Sequence, residues 1–306
     1  MNELIKRLSD YIGRAIKGKE DVIKHAVVTL LARGHLLIED VPGVGKTTLA
    51  FALAKAVDCV FQRIQSTSDL LPSDIIGVNI YNPETREFQF REGPLFANIV
   101  LVDEINRTSP KTQSALLEAM NERRISVDRK TYLLHEPFMV IATQNPLEYH
   151  GTFPLPESQL DRFMMHIKMG YPAYDFEMLA LSEMRDFDDI ERFGYVLKKA
   201  DILKMQDEVR KVRTDRDIMD YILNIVSRTR NHDNIRLGVS TRGAQFLLRA
   251  AQSLAYVNGR DYVLPDDVKE LSPMVLGHRI VLKSKTYISD ADKLIKDMVD
   301  EISIPL

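Results

Sequence analysis

Apolar residues recur in the first thirty positions with the period of a helix. Ile5, Leu8, Ile12 and Ile16 fall on one face, and Gly13 and Gly18 mark a break in the run. The pattern then changes. His35-Leu36-Leu37-Ile38-Glu39 is a short apolar run that ends in a glycine-rich turn, which predicts a buried strand. The alanine- and leucine-rich stretch 48–57 predicts a helix, and 59–65 a second strand. Residues 77–81 and 88–90 flank the turn-rich Asn82-Pro83-Glu84-Thr85-Arg86, the signature of a β-hairpin. Further strands are predicted at 99–102, 138–142 and 164–169. A helix is predicted at 111–123, and a second hairpin at 124–134 turns near Asp128-Arg129. Strands that alternate with helices imply a mostly parallel sheet covered on both faces.

Gly170-Tyr171-Pro172-Ala173-Tyr174 reads as a linker. Beyond it strand signals fade, and helices are predicted at 201–212, 217–230 and 241–258. The division expected is an α/β core at 1–172 and a smaller all-α domain at 173–306. No internal repeat or low-complexity tract is visible.

Composition narrows the function classes. The chain has 306 residues, 45% hydrophobic and 28% charged, the balance of a folded protein. Its formal net charge of −3 argues against a surface that grips nucleic acid or anionic lipid as a whole. The single cysteine, Cys59, can form neither an internal disulfide nor a cysteine-rich zinc site. It reads as a core residue with no chemistry. No targeting segment is visible, and the apolar run 26–32 is far below the ~20 residues that span a bilayer. The expected location is the cytoplasm, with no transmembrane segment.

The strongest chemical signal is Asp40-Val41-Pro42-Gly43-Val44-Gly45-Lys46-Thr47, between a predicted strand and a predicted helix. It matches the phosphate-loop pattern G-x-x-x-x-G-K-[ST] except at the first position, where Asp40 stands for glycine. Gly43 and Gly45 let backbone N–H groups curl toward phosphate oxygens, and the helix adds its positive end. Lys46 can reach the β- and γ-phosphates, and the Thr47 hydroxyl can ligate Mg²⁺. Ile99-Val100-Leu101-Val102 delivers Asp103 and Glu104 to the carboxyl end of a strand, where parallel sheets bind ligands. Asp103 suits Mg²⁺ and Glu104 suits activation of a water. Three further signals are weaker alone. Asn145 ends a strand but could equally start a turn before Pro146. Arg162 could meet a phosphoryl group or pair with Asp161. Arg242 lies in the first turn of a helix capped by Ser240 or Thr241, where its charge opposes the dipole.

Together these motifs resemble the MoxR family of AAA+ ATPases along the whole chain. The most specific matches are Ser68-Asp69-Leu70-Leu71-Pro72-Ser73-Asp74, Gly93-Pro94-Leu95-Phe96, Asp103-Glu104-Ile105-Asn106-Arg107, Ala142-Thr143-Gln144-Asn145-Pro146 and Gln159-Leu160-Asp161-Arg162-Phe163. The resemblance implies an AAA+ P-loop core followed by a helical lid. It implies ATP and Mg²⁺ as cofactors, with Gly43, Val44, Gly45, Lys46, Thr47 and Thr48 as Walker A, and Asp103 and Glu104 as Walker B. Asn145 resembles sensor 1, Arg162 an arginine finger acting on a neighbouring subunit, and Arg242 sensor 2. Gly18 lies in a segment similar to one that borders the adenine. The hairpin at 78–90 resembles the helix-2 insert, and that at 124–134 the hairpin before sensor 1. Arg107 matches the family motif, with an inter-subunit contact as one option. A hexameric ring and chaperone-like remodelling of a protein client follow by analogy, with von Willebrand factor A domain proteins as one client class.

Two alternatives stay open at this stage. A nucleic-acid motor would use the hairpins. The first mixes Arg86 and Arg91 with Glu84, Glu87 and Glu92, whereas the second carries Arg123, Arg124, Arg129 and Lys130. A non-hydrolysing ATP switch would lack Glu104, Asn145 and Arg162, which are present.

Overall fold

The computed structural model describes residues 3–128, 130–146, 151–183, 194–283 and 288–304. Arg129, named in the predicted turn of the second hairpin, lies outside the described residues.

Five parallel strands form the central sheet: β1 (Leu36–Glu39), β2 (Phe61–Gln65), β5 (Ile99–Asp103), β8 (Met139–Gln144) and β9 (Met165–Ile167). Their order is β2-β5-β8-β1-β9. Leu36, Leu37, Ile38, Val100, Leu101 and Ile141 are fully buried, as expected of strands covered on both faces. The register sets Gln65 opposite Asp103 and Ile38 opposite Thr143, so the chemistry-bearing strand ends share one edge.

Helices α1 (Glu3–Ala15), α2 (Glu20–Leu31) and α3 (Lys46–Ala56) share one apolar core with the sheet. The predicted stripe is present, with Ile5, Leu8, Ile12 and Ile16 all buried. The first helix passes through Gly13 and stops at Ala15, and Gly18, with φ of 71°, makes the break. After the short α4 (Pro72–Ile76) comes the hairpin β3 (Gly77–Asn82) and β4 (Glu87–Glu92). Helix α5 (Pro110–Glu122) leads into the hairpin β6 (Arg124–Val127) and β7 (Lys130–Leu133). The two hairpins lie side by side. Phe90 stacks on Tyr132 with ring centroids 4.1 Å apart, and Asn79 Nδ2 donates to Asp128 Oδ2 at 2.6 Å.

A single-turn α6 (Glu157–Leu160) precedes β9. Helices α7 (Tyr174–Glu183), α8 (Lys199–Val209), α9 (Arg216–Arg230), α10 (Thr241–Val257), α11 (Pro265–Leu276) and α12 (Ile288–Glu301) follow. The helical region also holds a two-stranded antiparallel ribbon, β10 (Ile235–Leu237) with β11 (Val281–Leu282). These strands are too short to leave a period in the sequence.

The lid helices are fastened onto the core through buried polar groups. Gln206 donates to Leu30 O at 2.7 Å and Ser253 to Val28 O at 2.8 Å, both at the carboxyl end of α2. The Arg279 guanidinium, 1% exposed, pairs with Asp161 at 2.9 Å and also donates to the Phe163 carbonyl. Burial lowers its pKa to about 10, against the opposing pull of Asp161. Among the described residues no helix is long and apolar enough to cross a membrane.

Candidate functional site

Strand β1 ends in a loop whose tight path rests on two glycines in left-handed geometry, Gly43 (φ 86°) and Gly45 (φ 94°). A side chain at either would be strained, and space is open beside Gly43, where a Cβ would meet nothing within 4 Å. Val44 turns into the apolar core, so it offers only backbone to a ligand. Lys46 opens α3 and is buried; its ammonium donates to the carbonyls of Asp40 (2.8 Å) and Val41 (3.3 Å), closing the loop on itself.

The departure at Asp40 has a structural reason. Its Oδ1 accepts from Val41 N at 2.8 Å, and its Oδ2 accepts from Met169 N at 2.7 Å and Gly170 N at 2.6 Å. Lys19 binds the same segment from its carbonyl side, donating to Met169 O (2.6 Å), Gly170 O (3.1 Å) and Tyr171 O (2.8 Å). The chain leaving β9 toward the lid is therefore tied to the phosphate loop by a carboxylate, and to the segment between α1 and α2 by an ammonium. A glycine at position 40 would supply none of these three acceptor contacts.

The acidic pair stands opposite. Asp103 Oδ1 accepts from the Thr143 hydroxyl at 2.7 Å, and the same hydroxyl accepts from Glu104 N at 2.9 Å. Thr143, fully buried, thus orients both acids from the neighbouring strand. Asp103 Oδ2 lies 2.5 Å from Arg63 Nη2. Glu104 adopts φ of 56°, and its carboxylate pairs with Arg107 at 2.9 Å. These groups line a cleft of about 430 Å³ bounded by Pro42, Gly43, Gly45, Lys46, Thr47, Thr48, Arg63, Gln65, Asp103 and Glu104.

The donor set suits a phosphorylated ligand with a hard divalent cation. It offers a hydroxyl, a carboxylate, an ammonium, and an open glycine loop at a helix N-terminus. Thr47 and Asp103 are the residues that could hold the metal, and Gly43 to Thr48 could hold the phosphates. No cluster of three or more His, Cys, Asp or Glu able to hold a metal by themselves occurs among the described residues.

Comparison with known proteins agrees with this geometry. Residues 35–165 match the model of the ATPase family associated with various cellular activities (AAA), and residues 227–302 match the AAA lid domain. The chain is 40% identical to the chaperone MoxR1 of Mycobacterium tuberculosis, over 94% of this chain and 78% of that protein. It belongs to the MoxR family of AAA+ ATPases. It is also 48% identical to YeaC of Bacillus subtilis, over all of this chain and 96% of that one. A solved structure of a putative ATPase from Cytophaga hutchinsonii superposes with a TM-score of 0.89 at 38% identity, covering 99% of this chain and 95% of that one.

The remaining site residues expected from the MoxR resemblance lie outside the cleft lining. Asn145 is buried two residues beyond Thr143. Arg162 Nη1 donates to Leu117 O of α5 in its own chain at 2.6 Å, so its guanidinium is tucked inward and not projected from the surface. Arg242 is exposed in the first turn of α10, whose cap is Ser240, its Oγ accepting from Gly243 N at 3.2 Å. Ser240 also bonds the Asp161 carboxylate, so this turn sits beside the Asp161–Arg279 pair. Gly18 is outside the cleft lining, and a Cβ there would lie 2.2 Å from the Phe176 ring, which packs directly on it from α7. Cys59 is buried, its thiol pushed up to about 12 by burial, consistent with a core role.

Sequence reasoning missed Arg63, Thr143 and Lys19. A charged residue amid a strand was the available signal for Arg63, and a hydroxyl in an otherwise apolar strand the signal for Thr143.

Proposed function

We propose that this chain hydrolyses ATP to ADP and phosphate and uses the energy for chaperone-like remodelling or maturation of a protein partner. The convergence of the glycine loop, Lys46, Thr47, Asp103 and Glu104 on one cleft carries the reading. In it, backbone N–H groups of 43–48 cradle the phosphate chain, and Lys46 exchanges its loop carbonyls for phosphate oxygens. Thr47 and Asp103 would hold Mg²⁺, which would supply neutralisation of phosphate charge when bound. Glu104 orients the attacking water and accepts its proton. Its pairing with Arg107 must loosen for that, so Arg107 restrains the base. Thr143 keeps Asp103 and Glu104 in register. Asn145, buried just beyond the end of that strand, would follow the γ-phosphate by turning toward the cleft.

Arg162 as a finger acting in trans requires it to leave Leu117 O for a neighbour's nucleotide. Assembly into a hexameric ring would supply that neighbour, and Arg242 would read the nucleotide once the lid rotates. Loss of such a finger costs about 10³ to 10⁵ in rate. The protein would work in the cytoplasm on a protein client, with von Willebrand factor A domain partners as the class that the family suggests.

The test combines light scattering with phosphate release on wild type and Glu104→Gln. The expected outcome is ATP-dependent assembly in both and turnover only in wild type. Equal, slow turnover by assembled wild type and variant refutes the hydrolase reading.

A further inference from the structure

The cleft contains one strong contact that the proposed mechanism does not use. Arg63 rises from the middle of β2 and places Nη2 2.5 Å from Asp103 Oδ2 and 3.0 Å from Gln65 Oε1. The other carboxylate oxygen, Oδ1, is taken by Thr143. Both oxygens of Asp103 are thus engaged, one by a buried hydroxyl and one by a cation. The two partners differ in exposure. Thr143 is fully buried on a central strand, whereas the Arg63 side chain is 46% exposed and lines the cleft. A divalent ion that binds Asp103, directly or through its water, needs lone pairs on the oxygen facing the cleft, and Arg63 occupies them.

We propose that Arg63 is a positioning residue that competes with the divalent cation for Asp103 and so sets the magnesium concentration at which nucleotide is held. The guanidinium holds Asp103 in its metal-binding rotamer and screens its charge from Glu104, the next residue in the chain. It yields when a metal arrives together with phosphate. Gln65 gives the guanidinium a second acceptor on the same strand, which keeps Arg63 at the cleft mouth when Asp103 lets go. This inference rests on the reading of the cleft as a magnesium-nucleotide site.

The experiment measures binding of a fluorescent N-methylanthraniloyl ATP on the Glu104→Gln background, titrated with magnesium at fixed nucleotide. The competition predicts that Arg63→Gln lowers the half-saturating magnesium concentration about threefold to fivefold, the size of an ion pair with a half-exposed partner. Arg63→Lys keeps most of the parent's requirement because it keeps the charge. In Asp103→Asn, adding Arg63→Gln changes nothing, since the contested carboxylate is gone. An unchanged or raised magnesium requirement in Arg63→Gln, with circular dichroism reporting a folded protein, overturns the inference. If the parent itself binds the nucleotide without any magnesium dependence, the underlying site reading falls, and the inference with it.

Discussion

Replacing Asp40 by alanine removes one side chain and three hydrogen bonds: those from Val41 N, Met169 N and Gly170 N. Each joins a backbone donor to a carboxylate, a class of bond that contributes about 1.5–3 kcal/mol net. Asp40 is half-buried, and water can partly replace it, so about 1 kcal/mol for each bond is the appropriate end of the scale. Only the bonds from Met169 N and Gly170 N hold the start of the lid connection, so its lost resistance to local opening is about 2 kcal/mol. By the relation of ~1.4 kcal/mol per factor of ten, the Met169 and Gly170 amides should exchange with solvent about thirtyfold faster. Native-state hydrogen exchange of the segment 165–171 measures this directly. Lys19 still holds the carbonyls of 169–171 in the variant, so the segment should loosen without detaching. Exchange within about threefold of wild type, in a protein whose global stability is unchanged, would refute the claim that Asp40 ties the phosphate loop to that connection.

Two stability measurements bear on the scaffold beneath the site. His35 is fully buried, accepts from Val140 N on Nδ1 (2.9 Å) and meets Met120 O through Nε2 (3.0 Å), so it is neutral with the proton on Nε2. Burial lowers its pKa to about 4, below its unfolded value of about 6.5. Its contribution is thus complete above about pH 6.5 and is lost as pH falls toward 4, about 2 kcal/mol by pH 5. Urea denaturation at pH 7.5 and pH 5 should show His35→Gln losing less on acidification than wild type, and equal losses would contradict this account. Asp161→Asn strips the counter-charge from the buried Arg279, and the unfolding free energy should drop by about 3–5 kcal/mol. A drop below about 1 kcal/mol would mean that the carbonyl acceptors around Arg279 suffice without the carboxylate.

The grouping of residues at the cleft was legible in the sequence because local order places them. A glycine loop between a strand and a helix has one way to present N–H groups, and apolar residues 99–102 can only deliver Asp103 and Glu104 to the strand's carboxyl end. The alternating signals also showed the parallel sheet, both hairpins and the helical region after the linker. The β10–β11 ribbon was not legible, since three residues and two residues carry no period.

Only the tertiary structure decided which groups touch. Arg63 meets Asp103 because β2 lies beside β5 in register, and Thr143 orients both acids because β8 lies on the other side. Asp40 looked like a flaw in a motif until the end of β9, about 130 positions later in the chain, came beside it. The inward turn of Arg162 depends on how α5 packs, and the ring of Phe176 on Gly18 and the Ser240–Asp161 contact depend on how the lid docks. Sequence determines properties that act within a few residues, such as backbone geometry, periodicity and charge. Pairings between strand neighbours and across domains arise from packing, which no local pattern encodes.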